Sequence, residues 1–560
     1  MKLVLLFLLF LNFAHATLSD DTTLQKMIGQ MLIIGFDTAT VDKDSQIIKD
    51  IQKYDLGGVI LFDRDFHKRE KTKNIKSPEQ LQNLTQVLQS YSEKPLFIAI
   101  DQEGGRVARL KPAYGFVEIP SAKAVASHDE QLIKMLYNKE AKMLQNVGIN
   151  INFAPVLDLA IEPRNQVIYQ LERSYGADPK TVAKVASLLI GAQTKHNIIS
   201  VAKHFPGHGS SLTDSHKGFV DITNTWSTKE LEPYKILLRE GKLNAIMTAH
   251  VFNKHLDTKY PATLSRKINQ KLLREQLGFR GVIISDDMQM KAISKHYSLK
   301  EALTLAINAG VDILLFGNQL SHNSTQEIVD TILEQVKAGK IPLSRIKEAN
   351  GRIANLHTKQ SIIQKPIIFE DERKAMTKAY IKKHYGINAK DISITPKVIV
   401  LHWTAVMDLE DSFKRLYPQK LLTDRKEIAA ASALNVSAHY LIDRDGTIYQ
   451  LMPDNWMARH VIGLNYSSIG IENVGGEDNK KEDLTPAQVQ ANIALVKYLK
   501  AKYPSIAYLI GHHEYRKMEN SPLWLEQDRG YRTKKADPGV KFMQAVRQGV
   551  KELKLKSADE

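Results

Sequence analysis

Between about Met31 and Gly317 the sequence repeats one unit eight times, a short apolar run followed by a stretch of helical periodicity. The runs are MLIIGF from Met31, GGVILF from Gly57, PLFIAID from Pro95, INFAPVLDL from Ile151, ISVAKHF from Ile199, AIMTAHV from Ala245, GVIISDD from Gly281 and DILLFG from Asp312. Runs of this length bounded by turn formers read as strands covered on both faces. Eight of them alternating with helices over about 300 residues predict an α/β fold, a (β/α)8 barrel whose working end is the C-terminal end of its strands. The polar residues Asp101, Asp158, Lys203, His204, His250 and Asp286 fall at those ends.

A second pattern follows. Residues 361–390 are Lys-rich with isolated turn signals, which predicts a helical tail or linker. From 391 to about 553 come PKVIVLHWTA from Pro396, SAHYLIDRDGTIYQL from Ser437, SSIGIENVGG from Ser467, the helical PAQVQANIALVKYLKAKY from Pro486 and AYLIGHH from Ala507. Strands interleaved with helices predict a compact α/β domain with a central mixed sheet. The barrel is expected over residues 17–360, since a chain of 560 residues exceeds what one core supports.

The first 16 residues place one Lys before an apolar stretch that ends in Ala14-His15-Ala16, which predicts a secretory signal peptide cleaved after Ala16. The stretch is shorter than the roughly 20 residues of a membrane span. An exported protein, periplasmic or secreted and without a stable span, is expected. The chain has no cysteine, which excludes a disulfide framework and a lipid on an N-terminal cysteine. Its formal net charge is +15, but Lys and Arg are scattered, which favours an anionic envelope polymer over nucleic acid as the partner.

KHFPGHG (Lys203 to Gly209) and TDSHKG (from Thr213), with DQEGGRV from Asp101, ERSYG from Glu172 and ISDDMQM from Ile284, resemble the β-N-acetylglucosaminidases of glycoside hydrolase family 3. The resemblance covers most of residues 20–350. Glycoside cleavage with retention needs a carboxylate on one face of the sugar and a proton donor at the leaving oxygen, with no cofactor. The resemblance makes Asp286 the nucleophile, with Asp287 as the competing choice, and makes His216 the general acid/base with Asp214 as its orienting partner. It assigns Asp101, Lys203 and His204 to hydroxyls of the terminal N-acetylglucosamine, and gives Arg109 and Arg173 supporting roles. His208 is expected to hold its loop, and Gly207 and Gly209 to permit the tight backbone.

In the second pattern His402 ends one apolar strand, His512 follows another, and Asp537 lies in KKADPG. Two histidines and a carboxylate are the ligand set of a catalytic zinc with a fourth position open to water. SAHYLIDRDGTIYQL, NYSSIGIENVGG and ADPG resemble the zinc-dependent N-acetylmuramoyl-L-alanine amidases related to peptidoglycan recognition proteins, over roughly residues 395–550. That resemblance implies Zn2+ on His402, His512 and Asp537, Glu472 as general base, Lys535 as oxyanion stabiliser and His460 in contact with substrate. His513 directly follows His512, so either could be the ligand. The stretch from Glu514 to Tyr531 is longer than the connector of the simplest members and is expected to form a loop near the site. Together the two resemblances imply a bifunctional hydrolase of peptidoglycan fragments, GlcNAc-MurNAc or GlcNAc-anhydroMurNAc peptides, serving cell-wall degradation or recycling. The alternative is a glucosaminidase with a non-catalytic peptidoglycan-binding C-terminal domain.

Overall fold

The computed structural model describes residues 21–560 apart from Arg69, His216, Lys217 and Asp424, with Lys426 and Glu427 described by backbone alone. The expected signal peptide and His216 therefore lie outside the described residues. The chain divides after Leu356 into two compact units, the second being His357–Glu560.

In the first unit all eight expected strands form. They are β1 (Leu32–Gly35), β2 (Gly58–Ile60), β3 (Phe97–Ile100), β4 (Ile151–Asn152), β5 (Ile199–Phe205), β6 (Ala245–Thr248), β7 (Val282–Asp287) and β8 (Ile313–Phe316). They close into a barrel in which each strand pairs in parallel with its sequence neighbour and β8 returns to β1. Their near-continuous apolar sequences fit burial on both faces, inside against the barrel core and outside against the helices. β4 is shorter than the INFAPVLDL run suggests: Pro155 has no N–H to donate to a ladder, and beyond Asn152 only an isolated bridge between Val156 and Lys203 continues the pairing.

The helices start where Ser or Asp side chains accept an N–H three residues on, at Ser77, Ser121, Asp129, Asp178, Ser298 and Ser324. At the opposite end of the barrel from the candidate residues, Asp312 receives Arg274 at 2.6 Å, Arg352 at 3.0 Å and Arg345. Burial would raise this carboxyl, but the three guanidiniums hold it below the usual carboxylate range.

The second unit is built on a six-stranded mixed sheet: β9 (Ile363–Gln364), β10 (Val398–Trp403), β11 (Tyr440–Ile442), β12 (Ile448–Gln450), β13 (Ser468–Asn473) and β14 (Tyr508–Gly511). The order is β9-β12-β11-β13-β10-β14, and only the β11/β12 hairpin is antiparallel. The helix Pro486–Lys502 covers one face; it opens with a capping box between Thr485 and Gln488.

The segment 361–390, expected as a tail or linker, is built into this unit. β9 pairs with β12, and the helix Asp371–Tyr385 buries Tyr380, Ile381 and Tyr385 against Ile394, Leu434 and Met457. Arg373 on that helix is fully buried and donates to the carbonyls of Ile368, Leu416, Tyr417 and Val436. The lysines that made the segment read as a linker, Lys374 and Lys382 among them, lie outside this buried set.

Candidate active sites

The barrel mouth holds a cavity of about 620 Å³. It is lined by an ion-pair ring built from the ends of β3 and β5 and the loops after β3 and β4. Lys203, in β5, donates to Asp101 Oδ1 at 2.8 Å and lies 2.7 Å from Glu103 Oε1. Glu103 takes a two-pronged bond from Arg173, Nε and Nη2 each at 2.7 Å. Arg109 donates to Asp101 Oδ2 at 3.3 Å, and Arg173 Nη2 lies 3.2 Å from His204 Nε2. Burial alone would raise Asp101 and Glu103. The adjacent cations prevail, holding Asp101 well below its ordinary value and Glu103 at about 2. Burial would conversely lower Lys203, but Asp101 and Glu103 raise it. The carboxylates and cations of the ring are thus held charged at the cavity wall.

Asp158 follows β4 and carries the other side. Its Oδ2 meets His204 Nδ1 at 2.6 Å and its Oδ1 accepts the His208 N–H at 2.7 Å. The His208 ring contacts Ser211 Oγ at 2.6 Å, and burial lowers it to about 4, so it is a neutral loop brace as expected. Gly207 adopts φ 127°, open to glycine and costly for other residues, with Glu230 packed behind it. Glu230 accepts from Gly209 N–H and Ser210 Oγ, and burial pushes it up to about 7.

Asp286 and Asp287 end β7, and both line the cavity with Asp214. Asp287 Oδ1 accepts the Gln289 N–H at 3.0 Å, and Oδ2 lies over Gly317. Asp286 Oδ1 accepts the N–H of Asp287 at 2.9 Å. His250 steadies this strand end, with Nε2 2.9 Å from the Asp287 carbonyl and Nδ1 2.8 Å from Thr263 Oγ1. Sequence reasoning gave no role to Glu103, Asp158 or Glu230. Glu103 was legible in principle, because D-x-E places two carboxylates on one side of an extended segment.

In the second unit, β10 carries His402 directly opposite Glu472 of β13 in parallel register. His512 follows β14, and Asp537 closes the group. His402 Nδ1 lies 2.9 Å from His512 Nδ1 and 3.2 Å from Asp537 Oδ2, and His512 Nδ1 lies 2.9 Å from the same oxygen. All three residues are buried, and among the described residues their donor atoms form a group that could hold one metal ion. Their mutual spacing suits one cation with bonds of about 2.0–2.2 Å. Burial lowers His512 to about 4, leaving a neutral, ligand-competent imidazole. His513 instead turns its ring to the Asp537 carbonyl at 3.0 Å, outside the trio.

Glu472 Oε2 is shielded from solvent and has no hydrogen-bond partner among the described residues. Burial and then Asp537 push Glu472 up to about 7, against the lowering pull of His402, Arg425 and Lys535. Lys535 is half-buried within reach of this carboxyl's field, and Arg425 is a second cation that the sequence did not single out. His460 contacts His402 rather than standing apart, at 3.0 Å between Nδ1 and Nε2. The Glu514–Tyr531 insertion packs inward: Trp524 stacks on Tyr515, Glu526 pairs with His384, and Leu525 bonds the Gly463 carbonyl.

The sequence profile described as the glycosyl hydrolase family 3 N terminal domain matches residues 23–356, and that of N-acetylmuramoyl-L-alanine amidase matches residues 393–540. Beta-hexosaminidase A of Pseudoalteromonas piscicida is 30% identical over 391 residues, 62% of this chain and 64% of that protein. This chain thus spans under two thirds of that relative. Beta-hexosaminidase of Tolumonas auensis is 37% identical over 270 residues, 47% of this chain and 76% of its own. The crystal structure of a beta-N-acetylhexosaminidase from Beutenbergia cavernae superposes with a TM-score of 0.53 at 27% identity, covering 60% of this chain and 98% of that one. With a closed parallel barrel, a charged ring at its mouth and a His-His-Asp group in a separate α/β unit, the chain belongs to glycosyl hydrolase family 3 and carries a C-terminal domain of the N-acetylmuramoyl-L-alanine amidase family.

Proposed function

We infer that the protein is a bifunctional peptidoglycan hydrolase, removing β-1,4-linked N-acetylglucosamine from muropeptides and cutting the amide between N-acetylmuramic acid and L-alanine. The observation that carries the reading is the His402, His512 and Asp537 group, present in a chain whose barrel cavity is lined by Asp286 and by the charged ring of Asp101, Glu103, Arg173 and Lys203. In the barrel, the Asp286 carboxylate attacks the anomeric carbon as the glycosidic bond breaks, and His216, oriented by Asp214, gives its proton to the leaving oxygen. His216 then takes a proton from water, which displaces Asp286 and releases the sugar with retained configuration. Asp101, Lys203 and His204 bind the sugar hydroxyls, while Arg109 and Arg173 hold that ring in place.

In the second domain His402, His512 and Asp537 would hold Zn2+, which when bound would supply polarisation of the scissile carbonyl and a more acidic water. Glu472 takes a proton from the attacking water and passes it to the departing L-alanine amine, and Lys535 faces the charge that builds on the carbonyl oxygen. The two bonds belong to one polymer, so tethering the sites raises the local concentration of one product at the other. Export through cleavage after Ala16 delivers the enzyme to that polymer; no helix among the described residues is long and apolar enough to cross a membrane.

Mass spectrometry of a digest of GlcNAc-anhydroMurNAc-peptide tests both sites at once, because free sugar and free peptide report on each separately. Asp286→Asn is expected to abolish sugar release and leave peptide release intact. Loss in Asp287→Asn with full activity in Asp286→Asn would move the nucleophile by one residue. Absence of peptide release from the unaltered protein would leave the C-terminal domain as a binding module.

A further inference from the structure

Both ring nitrogens of His402 are engaged. Nδ1 faces His512 and Asp537, while Nε2 lies 3.0 Å from His460 Nδ1. His460 Nε2 in turn lies 3.1 Å from Ser468 Oγ, and that hydroxyl donates to the Leu464 carbonyl at 2.8 Å. One placement of protons satisfies every contact once His402 Nδ1 presents its lone pair to a cation. His402 then carries its proton on Nε2 and donates to His460. His460 carries its proton on Nε2 and donates to Ser468, whose own proton goes to Leu464. The chain is fixed at both ends, by a lone pair that must face the metal and by a carbonyl that can only accept.

The backbone sets the position of the His460 ring. A Cβ on Gly470 of β13 would lie 2.6 Å from it, so the ring rests directly on the strand that pairs with the strand of His402. The His460 and Val461 N–H groups both donate to Asn465 Oδ1 at 2.8 Å, which pins the loop. The nearby His439 is committed elsewhere, accepting the Gly470 N–H at 3.0 Å and meeting the Trp456 carbonyl at 2.8 Å.

We propose that His460 is a positioning residue for the metal site, fixing the tautomer and rotation of His402 through the His402–His460–Ser468–Leu464 relay, in place of the substrate contact expected from the sequence. The proposal rests on the reading of His402, His512 and Asp537 as a divalent-metal site. Partners of this kind on the far nitrogen of a ligating histidine are worth about 10- to 100-fold in metal affinity.

The test is titration of the metal-free full chain with Co2+, followed by its visible absorption, with Zn2+ competition for affinity. His460→Ala is expected to weaken binding about 10- to 100-fold and change the absorption envelope. His460→Asn, which keeps an acceptor oxygen where Nδ1 lies, restores most of it. Gly470→Ala reproduces the loss by displacing an intact imidazole. Circular-dichroism melts of the metal-free variants separate these effects from unfolding. Unchanged cobalt affinity in folded His460→Ala, or an equal loss in His460→Asn, overturns the proposal while the metal reading stands. Wild-type protein that binds no more cobalt than His402→Ala overturns that reading and the proposal together.

Discussion

Asp158 holds His204 by one carboxylate oxygen and the backbone of the same loop, at His208, by the other. Burial would raise this carboxyl, but His204 and His208 keep it below its ordinary value, so it stands as a charged acceptor on both sides. Asp158→Asn must turn an amide donor toward one of two groups that already donate. The loss of one charge-assisted bond, about 1.5–3 kcal/mol, translates to roughly 10- to 100-fold in kcat/KM for sugar release if it is expressed in the transition state. Peptide release by the same preparation is the internal control. Equal decline of both activities would mean global unfolding rather than a misplaced His204.

His216→Ala is expected to cost about 10²- to 10⁴-fold in sugar release, the worth of a positioned acid/base. A substrate with an activated aryl leaving group needs little protonation, so its glycosylation step should suffer less. Single-turnover measurements on both substrates check this. The same deficit on each would remove His216 from the proton-transfer role.

Glu140 gives the barrel a defined pH response. It is buried on the helix Glu130–Asn146, neither of its oxygens has a hydrogen-bond partner among the described residues, and burial pushes it up to about 8 from an ordinary 4.5. Below pH 4.5 both folded and unfolded chains hold this proton. Between 4.5 and 8 the unfolded chain releases it while the folded chain keeps it, so this group's contribution to stability falls as pH rises through that window and levels off above. Glu140→Gln should raise the melting temperature at pH 7–8, by roughly 2–4 °C for each kcal/mol recovered, and leave it nearly unchanged at pH 4. A uniform shift at all pH values would show that packing, not ionisation, is responsible.

Chelation should stop peptide release and spare sugar release, because the proposed chemistry of the barrel uses only Asp286, His216 and Asp214 while that of the second site uses a metal. Glu472→Ala should retain bound zinc, measured by elemental analysis, yet lose turnover, since Glu472 is paired with His402 on the neighbouring strand without belonging to the trio. Metal loss in that variant would recast Glu472 as structural. Equal inhibition of both activities by a chelator, with melts unchanged, would end the idea of independent sites.

The barrel was legible because parallel strands covered on both sides are written as apolar runs, from Leu32–Gly35 to Ile313–Phe316. Lys203, His204, Asp101 and Asp286 were legible because strand ends aim side chains into the mouth. The sequence could not show that Glu103 links Arg173 to Lys203, or that His460 leans on His402, because these contacts join residues 70, 100 and 58 positions apart. Between His512 and His513 the sequence favoured His512, directly after Gly511, but could not show the contacts of either ring: the turn after β14 sends the His512 ring to the Asp537 carboxylate and the His513 ring to its carbonyl.

The strand Ile363–Gln364 and the helix Asp371–Tyr385 also decide where this chain can be cut or recombined. A fragment beginning at residue 391 would leave β12 with an open row of N–H and C=O groups, a template for edge-to-edge aggregation. It would also take Arg373 away from the carbonyls of Leu416, Tyr417 and Val436, stranding buried acceptors without donors. A fragment beginning at His357 keeps the strand and the arginine and cuts only the last turn of the helix Leu343–Ser361, so that is where a C-terminal unit with its sheet and buried arginine complete begins.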